Sequence, residues 1–114
     1  MNLNEFLDKL HHNADALEFT DTMAVIEALY QYTPTEFTNG DTTNAAGQNA
    51  GSCKLFSFAR LQNFSEAQTL ACFGRFYRDD VLKNPEGTDH QNIRNFMKTG
   101  WAGVKFAGEA LTLK

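Results

Sequence analysis

Clustered positive charge is missing from this sequence. Its 114 residues include ten lysines and arginines, which are scattered without a run, and fourteen aspartates and glutamates, so the formal net charge is −4. Proteins that bind phosphate backbones or anionic lipid surfaces do so through clustered basic side chains. The sequence therefore predicts that neither nucleic acid nor a membrane is a partner, and its mild acidity indicates solubility.

Long hydrophobic runs and a secretory signal are also missing. No stretch approaches the roughly 20 apolar residues of a membrane-spanning helix. The first residues, Met1–Glu5, lack a basic segment followed by an apolar one. These absences predict a cytoplasmic protein. Secretion by a type III system leaves little physical trace in a sequence and is the alternative.

Cysteine is scarce, since Cys53 and Cys72 are the only two. Two are too few for a disulfide framework in a chain of this length, so we expect reduced thiols. Paired metal ligands are absent as well, because no Cys-x-x-Cys or His-x-x-x-His spacing occurs and the adjacent His11 and His12 point to different sides of a helix. The sequence predicts no metal site and no cofactor.

Hydrophobic residues, by contrast, are plentiful. They make up 42% of the chain, and ten residues are phenylalanines. This length and composition predict one domain spanning residues 1–114, with an aromatic core. No internal repeat or linker divides the chain.

Hydrophobic periodicity predicts an α+β fold, a helix-rich single domain with a small, partly antiparallel sheet. Three capping-box spacings mark helix starts, namely Asn2 with Glu5, Ser65 with Gln68, and Thr88 with Gln91. The helix after Ser65 is expected to continue toward Leu82 and to end at a turn of residues 83–87, and the helix after Thr88 to end near Gly100.

The segments between these helices are ambiguous. Residues 20–33 fit either a helix capped by Thr20 or an alternating strand, and a short helical turn that passes into a strand is favoured. Asn39 and Gly40 predict a type I′ turn that pairs residues 35–38 with residues 41–44. Ser52 is expected to cap a helix, for which a buried strand is the alternative. Residues 104–106 predict a strand followed by a frayed tail.

Two residues have the chemistry of a nucleophile and a base. If Ser52 caps a helix, Cys53 lies in its first turn, where free N–H groups and the helix dipole favour a thiolate. His90 is then the candidate base, with Asp89 or Asn92 orienting its ring. A buried structural thiol and a structurally bonded histidine are the simpler interpretation. Cys53 and His90 are therefore catalytic candidates for an alternative function only.

The polar loop of residues 44–51 is the most promising binding surface. Its glycines permit close approach to the backbone, and its amide side chains offer donors and acceptors. It matches neither a phosphate-binding loop nor a dinucleotide-binding fingerprint. The predicted binding site joins this loop to the thiol and to the helix that carries the imidazole. It comprises Asn44, Gln48, Asn49, Ser52, Cys53, His90, Asn92, Arg94 and Trp101.

Several strings of the sequence together resemble one family. They are residues 20–26 (TDTMAVI), 32–40 (YTPTEFTNG), 45–49 (AAGQN), 51–54 (GSCK), 65–70 (SEAQTL), 89–96 (DHQNIRNF) and 100–103 (GWAG). This set spans nearly the whole chain and resembles the HopJ type III effector family, named after an effector of plant-pathogenic bacteria. The resemblance implies a bacterial protein and, by the family name, a link to virulence. It implies no enzymatic activity or catalytic residue.

These observations lead to one main hypothesis and two alternatives. The main hypothesis is a small cytoplasmic domain that binds a small polar ligand or a protein partner. The alternatives are an enzyme that depends on Cys53 and His90, and an effector secreted into a host cell.

Overall fold

Helices surround two small antiparallel sheets in the computed structural model, which describes residues 1–114. The helices are α1 (Leu3–His12), α2 (Phe19–Leu29), α3 (Ala50–Leu61), α4 (Glu66–Ala71) and α5 (Gln91–Thr99). The strands are β1 (Tyr30–Tyr32), β2 (Phe37–Asn39), β3 (Thr42–Asn44), β4 (Val104–Phe106) and β5 (Leu111–Leu113). Shorter turns of 3₁₀ helix span Ala14–Ala16 and Gly100–Gly103, and a π-helical turn spans Phe76–Val81. The predicted α+β class is confirmed.

The strands pair only with antiparallel neighbours. β1 pairs with β5, with Tyr30 opposite Leu113, and β2 lies between β3 and β4. The expectation of a frayed tail after residue 106 is wrong. Ala110 and Leu111 are buried in the core, and their burial orders the end of the chain as a strand. No helix has both the length and the apolar character needed to cross a membrane.

Two of the predicted capping boxes open helices as expected. Asn2 and Glu5 bond reciprocally at the start of α1, and Ser65 and Gln68 do so at the start of α4. In each pair a side chain accepts from a first-turn N–H group, while its partner accepts from the N-cap N–H group. These local contacts depend only on residues three positions apart, so the sequence alone predicts them.

Two other helix boundaries differ from the prediction. α2 begins after Glu18 rather than at Thr20, because the Asp21 carboxylate accepts a bond from the Glu18 backbone N–H at 3.0 Å. It also runs for 11 residues before β1, rather than for a short turn. The helix predicted after Ser65 is interrupted. It ends as α4 at Ala71, and Gly74, with a left-handed φ of +61°, separates α4 from the π-helical turn.

The hairpin turn between β2 and β3 is shifted by one residue. Asn39 pairs with Thr42 in the sheet, so the loop residues are Gly40 and Asp41 rather than Asn39 and Gly40. Gly40 has a φ of +63°, whereas Asp41 is not among the residues with positive φ. This pattern is that of a type II′ turn, because type I′ requires positive φ at both positions.

Phe56 of α3 lies at the centre of the aromatic core. Its ring centroid is 5.0 Å from that of Phe96, 5.5 Å from Phe73, 6.2 Å from Phe37 and 6.3 Å from Trp101. These partners come from α5, the segment after α4, β2 and the last 3₁₀ turn. One side chain therefore joins four parts of the fold, and the predicted aromatic core is confirmed.

Candidate functional site

A cavity of about 470 Å³ lies where the first turns of α3 and α5 meet β3 and the π-helical turn. Its lining residues are Phe19, Thr42, Asn44, Asn49, Gly51, Ser52, Phe73, Phe76, His90, Gln91, Asn92 and Ile93. Five of the nine residues predicted for binding are among them, namely Asn44, Asn49, Ser52, His90 and Asn92. The structure thus brings the amide-rich loop and the imidazole together.

Both helices that border the cavity begin with a residue in the left-handed conformation. Asn49 has a φ of 52° at the start of α3, and His90 has a φ of 51° at the start of α5. Neither side chain caps its own helix. The predicted caps are therefore wrong: Ser52 is the third residue of α3, and Thr88 lies outside α5, where its carbonyl accepts from the Gln91 side chain.

The first turns of α3 and α5 leave several backbone N–H groups without an intramolecular partner. The first bonded N–H of α3 is that of Cys53, which donates to the Asn49 carbonyl, and the first of α5 is that of Ile93, which donates to the His90 carbonyl. The unbonded N–H groups beside the cavity are those of Gly51, Ser52, Gln91 and Asn92. Such groups carry partial positive charge, which the helix dipole reinforces.

Three buried asparagines and one exposed asparagine form a hydrogen-bond network beside the cavity. Asn39 Nδ2 donates to the backbone oxygen of Asn92 at 2.7 Å and to its Oδ1 at 3.1 Å. Asn44 Nδ2 also donates to Asn92 Oδ1, while Asn92 Nδ2 donates back to Asn44 Oδ1. Asn49 Nδ2 donates to the same Asn44 oxygen at 2.6 Å. The network fixes α5 against β2 and β3.

His90 is held by Asp80 rather than by the predicted Asp89 or Asn92. Its Nε2 lies 3.0 Å from Asp80 Oδ2 and 4.0 Å from Asp89 Oδ2. An ionised carboxylate only accepts hydrogen bonds, so Nε2 carries the hydrogen, and Nδ1 of the neutral ring is an acceptor. The arrangement gives the cavity one oriented imidazole.

Phenylalanine rings form the apolar part of the cavity wall. Phe19 and Phe73 stack at 6.2 Å, and Phe76 lies 5.2 Å from Phe19 and 5.1 Å from the His90 ring. Phe76 is 40% exposed, and it is the only aromatic residue among the exposed large hydrophobic side chains. Gly51 makes room for this wall, because a Cβ at that position would lie 2.9 Å from Phe19 Cζ.

Cys53 does not line the cavity. Its side chain is fully buried, and its Sγ donates to the Thr35 carbonyl at 3.6 Å. Burial raises the pKa of the thiol, although the expected effect of a helix start was to lower it. The predicted nucleophile and base are therefore not paired: His90 belongs to the cavity and bonds Asp80, whereas Cys53 belongs to the core.

Gln48, Arg94 and Trp101 contribute to the fold rather than to the cavity lining. Gln48 Oε1 accepts a backbone N–H within its own turn. Arg94 donates to the backbone oxygens of Asn84 and Asp89 and to the Asp89 carboxylate, whose pKa it lowers. The Trp101 indole N–H donates to a backbone carbonyl at 3.0 Å. The hydrogen bonds of all three side chains hold neighbouring loops in place.

The aromatic wall and Asp80 are parts of the site that the sequence does not predict. Phe19, Phe73 and Phe76 give the same hydrophobic signal whether they fill a core or line a cavity. Asp80 is ten residues from His90 and lies on the π-helical turn, whose path depends on Gly74. A weak signal existed only in the composition of the segment, which places two adjacent carboxylates, Asp79 and Asp80, beside aromatic residues.

Comparison with known proteins gives a family and a structural relative. The family model described as HopJ type III effector protein matches residues 3–111 of the chain. The chain is also similar to VPA0580, a protein of unknown function with a crystal structure. The two share 57% sequence identity and a TM-score of 0.97, with coverage of 100% of this chain and 95% of that one. No curated protein matches the chain significantly.

Proposed function

This chain belongs to the HopJ type III effector protein family, and we propose that it is a binding domain whose cavity takes a small polar ligand. Neither the family description nor the structural relative specifies a reaction. The proposal therefore rests on one observation, that amide, hydroxyl and imidazole groups from three separate stretches of the chain meet in one cavity.

The composition of the cavity wall supports binding. Pockets for small molecules typically measure 300–1,000 Å³ and combine apolar surface with a few fixed polar groups. Here the phenylalanines supply the apolar surface, and the asparagine network holds the polar side in place. Ser52 makes no intramolecular hydrogen bond through its hydroxyl, so this group is free to bond a ligand.

A screen of a metabolite library by nuclear magnetic resonance tests the proposal. We expect a binder to shift the backbone amide signals of Gly51, Ser52 and Asn92. A Ser52→Phe variant, which places a bulky ring in the cavity wall, should lose the effect. Leu61→Phe places the same ring at the other end of α3, away from this cavity, and should retain it. Binders whose shifts lie elsewhere, or persist in Ser52→Phe, would refute the proposal.

Catalysis by Cys53 has no support in this geometry. A nucleophilic thiol needs exposure and a lowered pKa, whereas Cys53 is buried and the pKa of its thiol is raised. Residence in the cytoplasm and secretion by a type III system both stay predictions. A translocation reporter fused to the chain separates them, because only a secreted protein delivers the reporter to a host cell.

A further inference from the structure

Hydrogen-bond donors exceed acceptors among the unbonded groups of the cavity. Asn92 is 7% exposed and lines the cavity, and only one of its two Nδ2 hydrogens has an acceptor, Asn44 Oδ1. The Ser52 hydroxyl and the four N–H groups at the starts of α3 and α5 are also unbonded. The unbonded side-chain acceptors are Asn49 Oδ1, Gln91 Oε1 and His90 Nδ1, and no carboxylate lines the cavity. A group that only accepts hydrogen bonds complements such a surface.

The charge of the lining limits the size of the negative charge that it can neutralise. No lysine or arginine lines the cavity, and its single titratable residue, His90, is paired with Asp80. Phosphate groups are typically bound with the help of arginine or lysine. A carboxylate carries one negative charge and four acceptor positions, and it suits a site built from N–H and O–H donors.

The exposed ring of Phe76 gives an independent indication of the rest of the ligand. Phe76 is 40% exposed at a cavity wall, and the part of its ring that Phe19 and His90 leave uncovered offers an aromatic surface. Planar rings pack on such surfaces in offset or edge-to-face geometry. The apolar part of the ligand is therefore expected to be a flat ring.

We infer that the ligand is a small aromatic carboxylate, with its ring on Phe76 and its carboxylate on the donors of Ser52 and Asn92. The inference rests on the proposed binding function and names the ligand class. Because recognition of the carboxylate and recognition of the ring depend on different residues, they can be tested separately.

Titration with benzoate, benzamide, cyclohexanecarboxylate and inorganic phosphate, followed through the amide signals of Ser52 and Asn92, tests the ligand class. We expect benzoate to bind at least about tenfold more tightly than each of the others, since loss of a charge-assisted contact alone commonly has this effect. Equal binding of benzamide would refute recognition of the charge. Equal binding of cyclohexanecarboxylate would refute recognition of the ring, and tighter binding of phosphate would refute the ligand class.

A pair of substitutions at Ser52 tests the contact itself. Ser52→Asp places a carboxylate in the cavity at a first-turn position, where acidic residues favour the helix, so the variant should fold. We expect it to weaken benzoate binding at least tenfold, whereas the neutral isostere Ser52→Asn should change it less than threefold. Unchanged affinity in Ser52→Asp would overturn the inference. A binder of another class in the cavity would leave the binding function standing and refute only the ligand class.

Discussion

The Asn92 side chain contributes both to the fold and to the cavity. Its Oδ1 accepts from Asn39 and Asn44, which fixes α5, while one Nδ2 hydrogen stays free beside the cavity. The residue types of the site were predictable, because amides and an imidazole are the expected hydrogen-bonding groups. Their partners were not, since Asp80 reaches His90 only after the chain has folded.

Cys72 makes the stability of the folded state depend on pH. It is fully buried, and burial raises the pKa of its thiol to about 12. A cysteine in the unfolded chain ionises near pH 8.5. Between these values the unfolded chain has lost a proton that the folded protein keeps, so the folded state loses stability as the pH rises.

We therefore expect the free energy of unfolding to fall above about pH 9, by up to about 1.4 kcal/mol per pH unit from this thiol. Urea denaturation between pH 7 and pH 10.5, roughly the accessible range below the folded pKa, measures the slope. Cys72→Ser removes the thiol and should give a flatter profile, while the contributions of Cys53 and Tyr32, whose pKa values are also raised, stay in both proteins. Identical slopes in the two proteins would contradict this account.

Among the elements, α3 and α5 show where prediction from sequence stopped. The capping boxes of α1 and α4 were predicted because their contacts are local. The left-handed starts at Asn49 and His90 were not, because neither side chain caps its own helix. Contacts with residues outside the helices hold them instead, Asn49 with Asn44 and His90 with Asp80.

Gly74 lets the segment after α4 approach the start of α2. Its φ is +61°, and a Cβ there would lie 2.7 Å from the Phe19 backbone nitrogen and 2.9 Å from Glu18 Cα. Gly47 has a φ of +85° but no atom near a Cβ, and Gly108 has neither constraint. Substitutions at these three glycines therefore separate the stability lost through the left-handed conformation from the stability lost through the close contact.

Alanine at each position should therefore give a graded series in urea denaturation. We expect Gly108→Ala to change stability by less than about 0.5 kcal/mol. Gly47→Ala should cost about 1–2 kcal/mol, because alanine disfavours the left-handed region. Gly74→Ala should cost more than Gly47→Ala, since the backbone of α2 must also move. Equal losses of stability for Gly47→Ala and Gly74→Ala would contradict this expectation, because they would show that α2 can move without loss of stability.

In the molecule as a whole, the aromatic core organises the fold. Composition predicted this core and the α+β class, because the count of apolar residues and their spacing are visible in the sequence. The sheet order and the cavity were not predictable, since they depend on contacts between residues far apart in the chain. Phe56, for example, contacts rings from 19 residues before it to 45 residues after it, Phe37 and Trp101.

Removal of the Phe56 ring should consequently destabilise the entire domain. We expect Phe56→Ala to cost about 3–5 kcal/mol, a large part of the roughly 5–15 kcal/mol typical of such domains. Phe56→Leu keeps most of the apolar volume and should leave a measurable folded state. Phe76→Leu is the matched control, because that ring is 40% exposed. Equal unfolding midpoints for the two leucine variants would contradict a central role for Phe56.

The pairing of β1 with β5 has a consequence for biosynthesis. Tyr30 finds its partner, Leu113, only after the ribosome has added the intervening residues, a delay on the order of 10 s at typical elongation rates. Until then the growing polypeptide carries β1 as an unpaired edge. Nascent chains of this protein therefore carry β1 without the partner strand that it has in the folded molecule, and a chaperone on the ribosome has that interval in which to act.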